Sequence, residues 1–320
     1  MGIMVPIVRI VLKEHKRKPI TGDGLLIGRQ TVPLTVAEAR AMIREEGIPL
    51  RDVEPALDTT TVASRGKNFI SDIGFFSLFS DVRLRTLDVH DYEGAEIIHD
   101  MHYPVPDELA SSFDFIWQGS CLDNMFDPAQ AMRSTTRMLR PGGRMVCMES
   151  AGSPYYNEYV MFSHVWFHDY FAINNFAYAK VYSCIFHPDD IWDGPFDVYA
   201  PADYEAASHK FPLCDFRKKA IISVSIAEAS KDTTSDKMPL QFRFETGIYK
   251  EAFDRFSKAP PMITTFSTRK LSTGQFQYLG RLRAIPGRRF PEHTRLGQLK
   301  RMIQIATSDP GRVLKKLRSA

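Results

Sequence analysis

The stretch from Phe113 to Glu149 constrains the chain most: it reads FDFIWQGSCLDNMFDPAQAMRSTTRMLRPGGRMVCME. Phe113, Phe115, Ile116 and Trp117 form a short apolar run that stops at Gln118-Gly119, the pattern of a strand buried on both faces as it meets a turn. Asp127 suits the cap of a following helix and Pro128 its first turn. Ala129, Met132, Thr136 and Leu139 then recur at helical spacing until Pro141-Gly142-Gly143 ends the run. Arg144 to Glu149 resumes as a second strand. The unit is βαβ, whose crossover is nearly always right-handed, and a parallel sheet follows. Ligands of such sheets sit beyond the carboxyl ends of the strands, which puts Gln118 to Asn124 at a cleft. On periodicity alone, an ordinary crossover with a solvated loop is the plain alternative.

A chain of 320 residues with 44% hydrophobic and 25% charged residues is long enough for a substantial core and has the balance of a soluble globular protein. Cys121, Cys147, Cys184 and Cys214 form no CxxC pair, which fits a reducing cytoplasm. The amino-terminal run MGIMVPIVRIVLKEHKRKP is too short to span a membrane and is broken by Pro6 and Arg9. The net charge of +3 hides an asymmetry: residues 281–320 carry 11 Lys and Arg against 2 acids, leaving the rest at −6. Aromatic residues are almost absent from that tail after Phe290, so base stacking and specific nucleic-acid recognition are not expected. The tail reads as a solvated or self-packing extension with short amphipathic stretches at Leu296–Ile305 and Val313–Leu317.

Earlier in the chain, Thr21-Gly22-Asp23-Gly24 marks a turn before a short buried strand, Leu25 to Gly28. Its glycines do not make a dinucleotide fingerprint, because that motif follows a strand and opens a helix. Thr35-Val36-Ala37-Glu38 has capping-box spacing and opens a helix to about Glu46, with Gly47 behind it. Ile70–Phe79 predicts a short helix, Leu84–Val89 and Glu96–His99 two strands, Phe162–Phe171 a helix, and Ala177–Phe186 and Phe216–Glu228 strands. Asp88 and Asp100 end successive strands; an ionised carboxylate there offers two oxygens to a ribose diol. His164 and His168 stand one helical turn apart, but Val165 replaces the Glu of HExxH, so no metal is expected.

The turn QGSCLDN after FDFIW, closed by LRPGGRMV, resembles the fourth and fifth strands of class I S-adenosylmethionine-dependent methyltransferases. Leu84 to Pro106, with DYEGA and then IIHD, resembles a bacterial subgroup of that family that acts on small molecules and saccharides. The resemblance covers about Leu25 to Glu228. It implies a Rossmann-like α/β fold: a mostly parallel seven-stranded sheet with an antiparallel last strand and helices on both faces. Residues 1–230 would form the methyltransferase-like domain and 231–320 a polar, then basic, extension.

The resemblance also implies site residues. S-adenosylmethionine falls to Gly28, Arg29, Gln30, Asp88, Asp100, Met101 and Gly119. Asp123, after the fourth strand, becomes the candidate base for an acceptor hydroxyl; His164, in a segment where the chain departs from the subgroup, is a second candidate that the resemblance does not supply. The chain departs from the family at Leu26, where an acid is usual, in keeping only Gly28 of a glycine-rich loop, and at Asn124, where the subgroup has His. A non-catalytic relative serving in binding or assembly is therefore an alternative reading, and a nicotinamide-dependent oxidoreductase a more distant one. Oligomeric state is open.

Overall fold

Leu25 and Ile27 face one side of a central sheet and Leu26 the other, the period-2 alternation of a strand buried on both faces. In the computed structural model that strand is β1 (Asp23–Ile27), preceded by helix α1 (Val5–Arg17) and followed by α2 (Val36–Glu45), α3 (Asp72–Ser77), β2 (Arg83–Asp88) and β3 (Ile97–Ile98). The chain continues through β4 (Phe113–Gly119), α4 (Pro128–Met138), β5 (Leu139–Gly152), α5 (His164–Ile173), β6 (Tyr178–Phe186), β7 (Phe196–Pro201) and β8 (Ala220–Glu228). It ends in α6 (Thr246–Lys258) and β9 (Phe276–Leu282). The structure describes residues 2–152, 158–188, 191–201, 219–240, 246–258, 276–283 and 285.

The sheet runs β3-β2-β1-β4-β5-β8-β6-β7-β9. The pairs from β3 to β5 are parallel, while β8 inserts antiparallel between β5 and β6. This is the mostly parallel, doubly covered sheet the sequence implies, with nine strands in place of seven. Of the two added strands, β7 pairs antiparallel with β6, and β9 pairs antiparallel with β7. Strand order reverses between β1 and β4, so a cleft is due at their carboxyl ends.

Local chemistry sets the helices. Thr35 and Glu38 complete the capping box of α2, Ser71 accepts the Gly74 N–H at the start of α3, and Asp127 accepts the Gln130 N–H ahead of α4, whose first residue is Pro128. Gly74 lets α3 lie against the chain at Ala56: a Cβ there would stand 2.6 Å from the Ala56 carbonyl oxygen. One sheet face packs Leu26, Phe115, Trp117, Val146 and Met148 against α1 to α3, and the other packs Leu25, Ile27, Ile116, Met145 and Cys147 against α4 to α6.

The amino-terminal apolar run is helix α1, which periodicity did not single out. Ile7, Val8, Ile10, Val11 and Leu12 are buried along it, each contributing about 1.5–3 kcal/mol by leaving water. Its far end carries a buried ion pair, Glu14 to Arg144 at 2.7 Å, extended by Arg17, Glu228 and Lys18. No helix among the described residues is long and apolar enough to cross a membrane. Beyond residue 230, α6 sets Tyr249, Ala252 and Phe256 into the core beside α5, and β9 closes the sheet. The amphipathic stretches expected at 296–305 and 313–317 lie outside the described residues.

Candidate active site at the carboxyl ends of β1, β2 and β4

Gly28 ends β1 with φ at +72°, a left-handed conformation that favours glycine, and donates its N–H to the Leu87 carbonyl at 2.7 Å. A Cβ built there would stand 3.4 Å from Cys121 Sγ and 3.9 Å from Asp88 Oδ2, so the ends of three strands meet around it. Asp88 Oδ1 accepts the Val89 N–H at 2.7 Å. Asp88 Oδ2 makes no hydrogen bond among the described residues. A free carboxylate oxygen beside a glycine is a cradle that fits a ribose diol, since nothing but hydrogen fills the glycine's side. The loop is held from behind: the Cys121 thiol donates to the Ile27 carbonyl at 3.1 Å and Gln30 Nε2 to the Gly28 carbonyl at 3.2 Å.

The other residues tied to the cofactor by resemblance take different places. Arg29 grips Asp72 through two hydrogen bonds, at 2.9 and 2.7 Å, and donates to the Glu93 carbonyl at 3.2 Å. Its guanidinium thereby clamps the loop after β2 to the start of α3. Gln30 is buried, and its N–H also goes to Asp72. Asp100 lies at the surface, accepting from the N–H and Nδ1 of His102, which hold its carboxyl below the usual range. Met101 is buried in the apolar layer with Ile27 and Leu87. Gly119 passes close to β5, where a Cβ would meet that of Met148 at 2.9 Å.

Asp123 lies on a 3-10 turn, Leu122–Asn124, and is fully buried. Its Oδ1 accepts from Ser120 Oγ at 3.0 Å and Asn124 Nδ2 at 2.7 Å, and its Oδ2 from the Ser150 N–H at 3.3 Å. Glu149, equally buried at the end of the core of β5, accepts the N–H groups of Cys121, Leu122 and Asp123. Burial raises both carboxyls above their ordinary values, and for Glu149 the charge of Asp123 adds to it. A cavity of about 30 Å³, room for a water, touches Asp123, Glu149, Ser120, Ser150 and Glu158.

Glu149 and Asp72 were not among the residues that sequence reasoning singled out. An acid ending a strand buried on both faces was the available signal for Glu149; Asp72, in the first turn of a short helix, pairs with Arg29 43 positions away, which leaves no local signal. His164 opens α5 and stacks edge-on against Phe276 with ring centres 5.4 Å apart, lining a pocket with His168, Lys180 and Phe253. The structure does not bring it to the cavity that touches Asp123. Among the described residues no three His, Cys, Asp or Glu side chains are grouped to hold a metal.

A sheet of this order, with a glycine and a carboxylate facing each other across β1 and β2, has the architecture of the class I methyltransferase fold. Residues 87–147 match the family model described as "Methyltransferase domain", a stretch running from the end of β2 into β5 and holding Asp88, Asp100, Met101, Gly119 and Asp123. The matched segment thus covers residues 87–147 of the 320, and it lies within a sheet of that order.

Among solved structures it is similar to the CurJ carbon methyltransferase, at 13% identity over 72% of this chain and 55% of that one, with a TM-score of 0.36. It is also similar to the Haemonchus contortus phospholethanolamine N-methyltransferase 2 in complex with phosphomonomethylethanolamine and S-adenosylhomocysteine, at 11% identity, 70% and 53% coverage and a TM-score of 0.36. A third is the CMeT domain of the citrinin polyketide synthase, at 10% identity, 66% and 47% coverage and a TM-score of 0.32. All three likenesses are remote, and the chain spans about half the length of each. No curated protein matches the sequence.

Proposed function

We propose that the protein transfers a methyl group from S-adenosylmethionine to a hydroxyl of a small-molecule or saccharide acceptor. The observation that carries this reading is the free Oδ2 of Asp88 beside Gly28 at the switch point of the sheet, at the start of the segment matched by the methyltransferase family. When bound, S-adenosylmethionine supplies an electrophilic methyl carbon on a sulfonium. Asp88 takes the ribose diol, Gly28 gives the cofactor room, Gly119 lets the end of β4 lie close against Met148 of β5, and Asp100 with Met101 flank the adenine end. Holding two reactants in line supplies most of the rate in such a displacement, with effective molarities equivalent to about 7–11 kcal/mol.

The acceptor hydroxyl must lose a proton, and Asp123 is the group placed after β4 to hold it. Its raised carboxyl brings it closer to the working range of a general base, and Glu149 next to it makes the two a coupled pair. A second reading has its own observation: both oxygens of Asp123 already accept hydrogen bonds, so Asp123 serves to hold the turn, as it would in a relative without activity. Calorimetry with S-adenosylhomocysteine and with NAD, followed by an acceptor screen, tests the assignment. Heat with S-adenosylhomocysteine and product formation support it, whereas heat with NAD alone would point to the oxidoreductase.

A further inference from the structure

Beyond Gln30 the chain enters a second cavity that the cofactor reading does not use. It has a volume of about 280 Å³ and is walled by Thr31, Val62, Arg65, Lys67, Phe69 and Trp192. Two cations and two aromatic rings thus share one cavity, and no acidic side chain lines it among the described residues. Glu93 reaches the rim, where it accepts the Val62 N–H at 3.2 Å. Arg65 makes no ion pair among the described residues, and Lys67 lies over the Phe69 ring with its nitrogen 5.4 Å from the centre.

The walls are braced. Buried Asp58 accepts the N–H groups of Thr60 and Thr61, both at 3.0 Å, and the Ser64 hydroxyl at 2.5 Å, which fixes the segment before Arg65. Gly66, with φ at +72°, turns the chain so that Arg65 and Lys67 line the same space. Thr31 bonds to Thr61 Oγ1 at 2.9 Å and its carbonyl accepts the Ile3 N–H at 2.9 Å. The Trp192 carbonyl accepts the Val5 N–H at 2.9 Å. Thr31 lies three residues past Gly28, and Glu93 ties both Val62 and Arg29 to the loop after β2, so this cavity and the cofactor cleft share their connecting loops.

We infer that this cavity binds a small organic anion, a phosphate or carboxylate carried on an aromatic or otherwise flat apolar body. The anion pairs with Arg65 and Lys67, and the flat body lies against Trp192 and Phe69. That this ligand is the methyl acceptor rests on the methyltransferase reading; the binding itself does not.

The test is titration of the full chain with phenyl phosphate and with benzoate, followed by tryptophan fluorescence and calorimetry, with benzyl alcohol as the neutral control. At least one anion should bind one-to-one and benzyl alcohol should not, and the two anions tell phosphate from carboxylate. Arg65→Ala/Lys67→Ala, both at exposed or half-exposed positions, should weaken the anion by roughly tenfold or more while leaving S-adenosylhomocysteine affinity unchanged. Trp192→Phe should retain binding and lose most of the fluorescence response. If neither anion binds, or if the double variant binds as wild type does, the inference is wrong. Anion binding as described without any heat from S-adenosylhomocysteine would keep the cavity assignment and remove the methyltransferase reading; the reverse result would do the opposite.

Discussion

Glu149 Oε2 accepts the backbone N–H of Asp123 at 3.1 Å, so two buried carboxylates are joined through one turn at the end of β4. Burial and the neighbouring charge of Asp123 hold the Glu149 carboxyl well above 4.5, so the folded protein keeps a proton there that the unfolded chain releases. The linkage sign follows: the contribution is present below about pH 4.5 and is lost as pH rises through the folded value. Glu149→Gln removes the titrating group and keeps one carbonyl oxygen, enough for the Cys121 and Leu122 N–H groups that share Oε1 but not for the Asp123 N–H at Oε2, a loss that does not vary with pH. Urea unfolding of this variant should therefore lose less stability than wild type between pH 4.5 and 9, and matching pH profiles would contradict the assignment.

Arg29→Ala should destabilise strongly, because it strands Asp72, which is 0% exposed, without its cation. Breaking a buried pair this way costs about 3–5 kcal/mol. Since Arg29 also holds the Glu93 carbonyl, its effect on ligand affinity should come through the loop after β2. A loss of affinity with no loss of urea stability would instead make Arg29 a direct cofactor contact, as its resemblance-based assignment had it.

Glu14→Ala should cost about the same, roughly 3–5 kcal/mol, by leaving Arg144 unpaired under α1. Adding Arg144→Met should recover a large part of it, because an apolar side chain does not need the missing charge. Chemical denaturation of both variants reads the coupling directly, and additive losses would mean that the pair is not the anchor of α1.

These two anchors also mark where the sequence was legible. The unit from Phe113 to Glu149, the capping box at Thr35, and the strands ending at Gly28 and Asp88 were written in local patterns of two, three or four residues, whereas the arrangement of the sheet came from the resemblance. Arg29 was not, because its partner lies 43 positions away and a guanidinium reads the same whether it faces a ligand or Asp72. Helix α1 was read as a broken apolar run because Pro6 sits in it; proline is tolerated in a first helical turn, and Pro6 is there. The strands β7 and β9 raise the count to nine because residues 276–282, in a stretch read as polar, pair with residues 196–201 far upstream. Such long-range pairing leaves no local signature.

Asp123→Asn separates the base from the brace. An amide takes no proton and keeps one oxygen, enough for Ser120 and Asn124 at Oδ1 but not also for the Ser150 N–H at Oδ2, so methyl transfer should fall by about 10² or more while S-adenosylhomocysteine affinity stays the same. Wild-type turnover in this variant would leave Asp123 as a holder of its turn.

The central claim is that the carboxyl ends of β1 and β2 hold S-adenosylmethionine through Asp88, and calorimetry of S-adenosylhomocysteine with wild type and Asp88→Ala tests it most directly. Each charge-assisted hydrogen bond from the diol contributes roughly 1.5–3 kcal/mol, so affinity should drop about tenfold or more in the variant while the fold is kept. Equal heats and equal affinities in the two proteins, or no binding by the wild type, would contradict it.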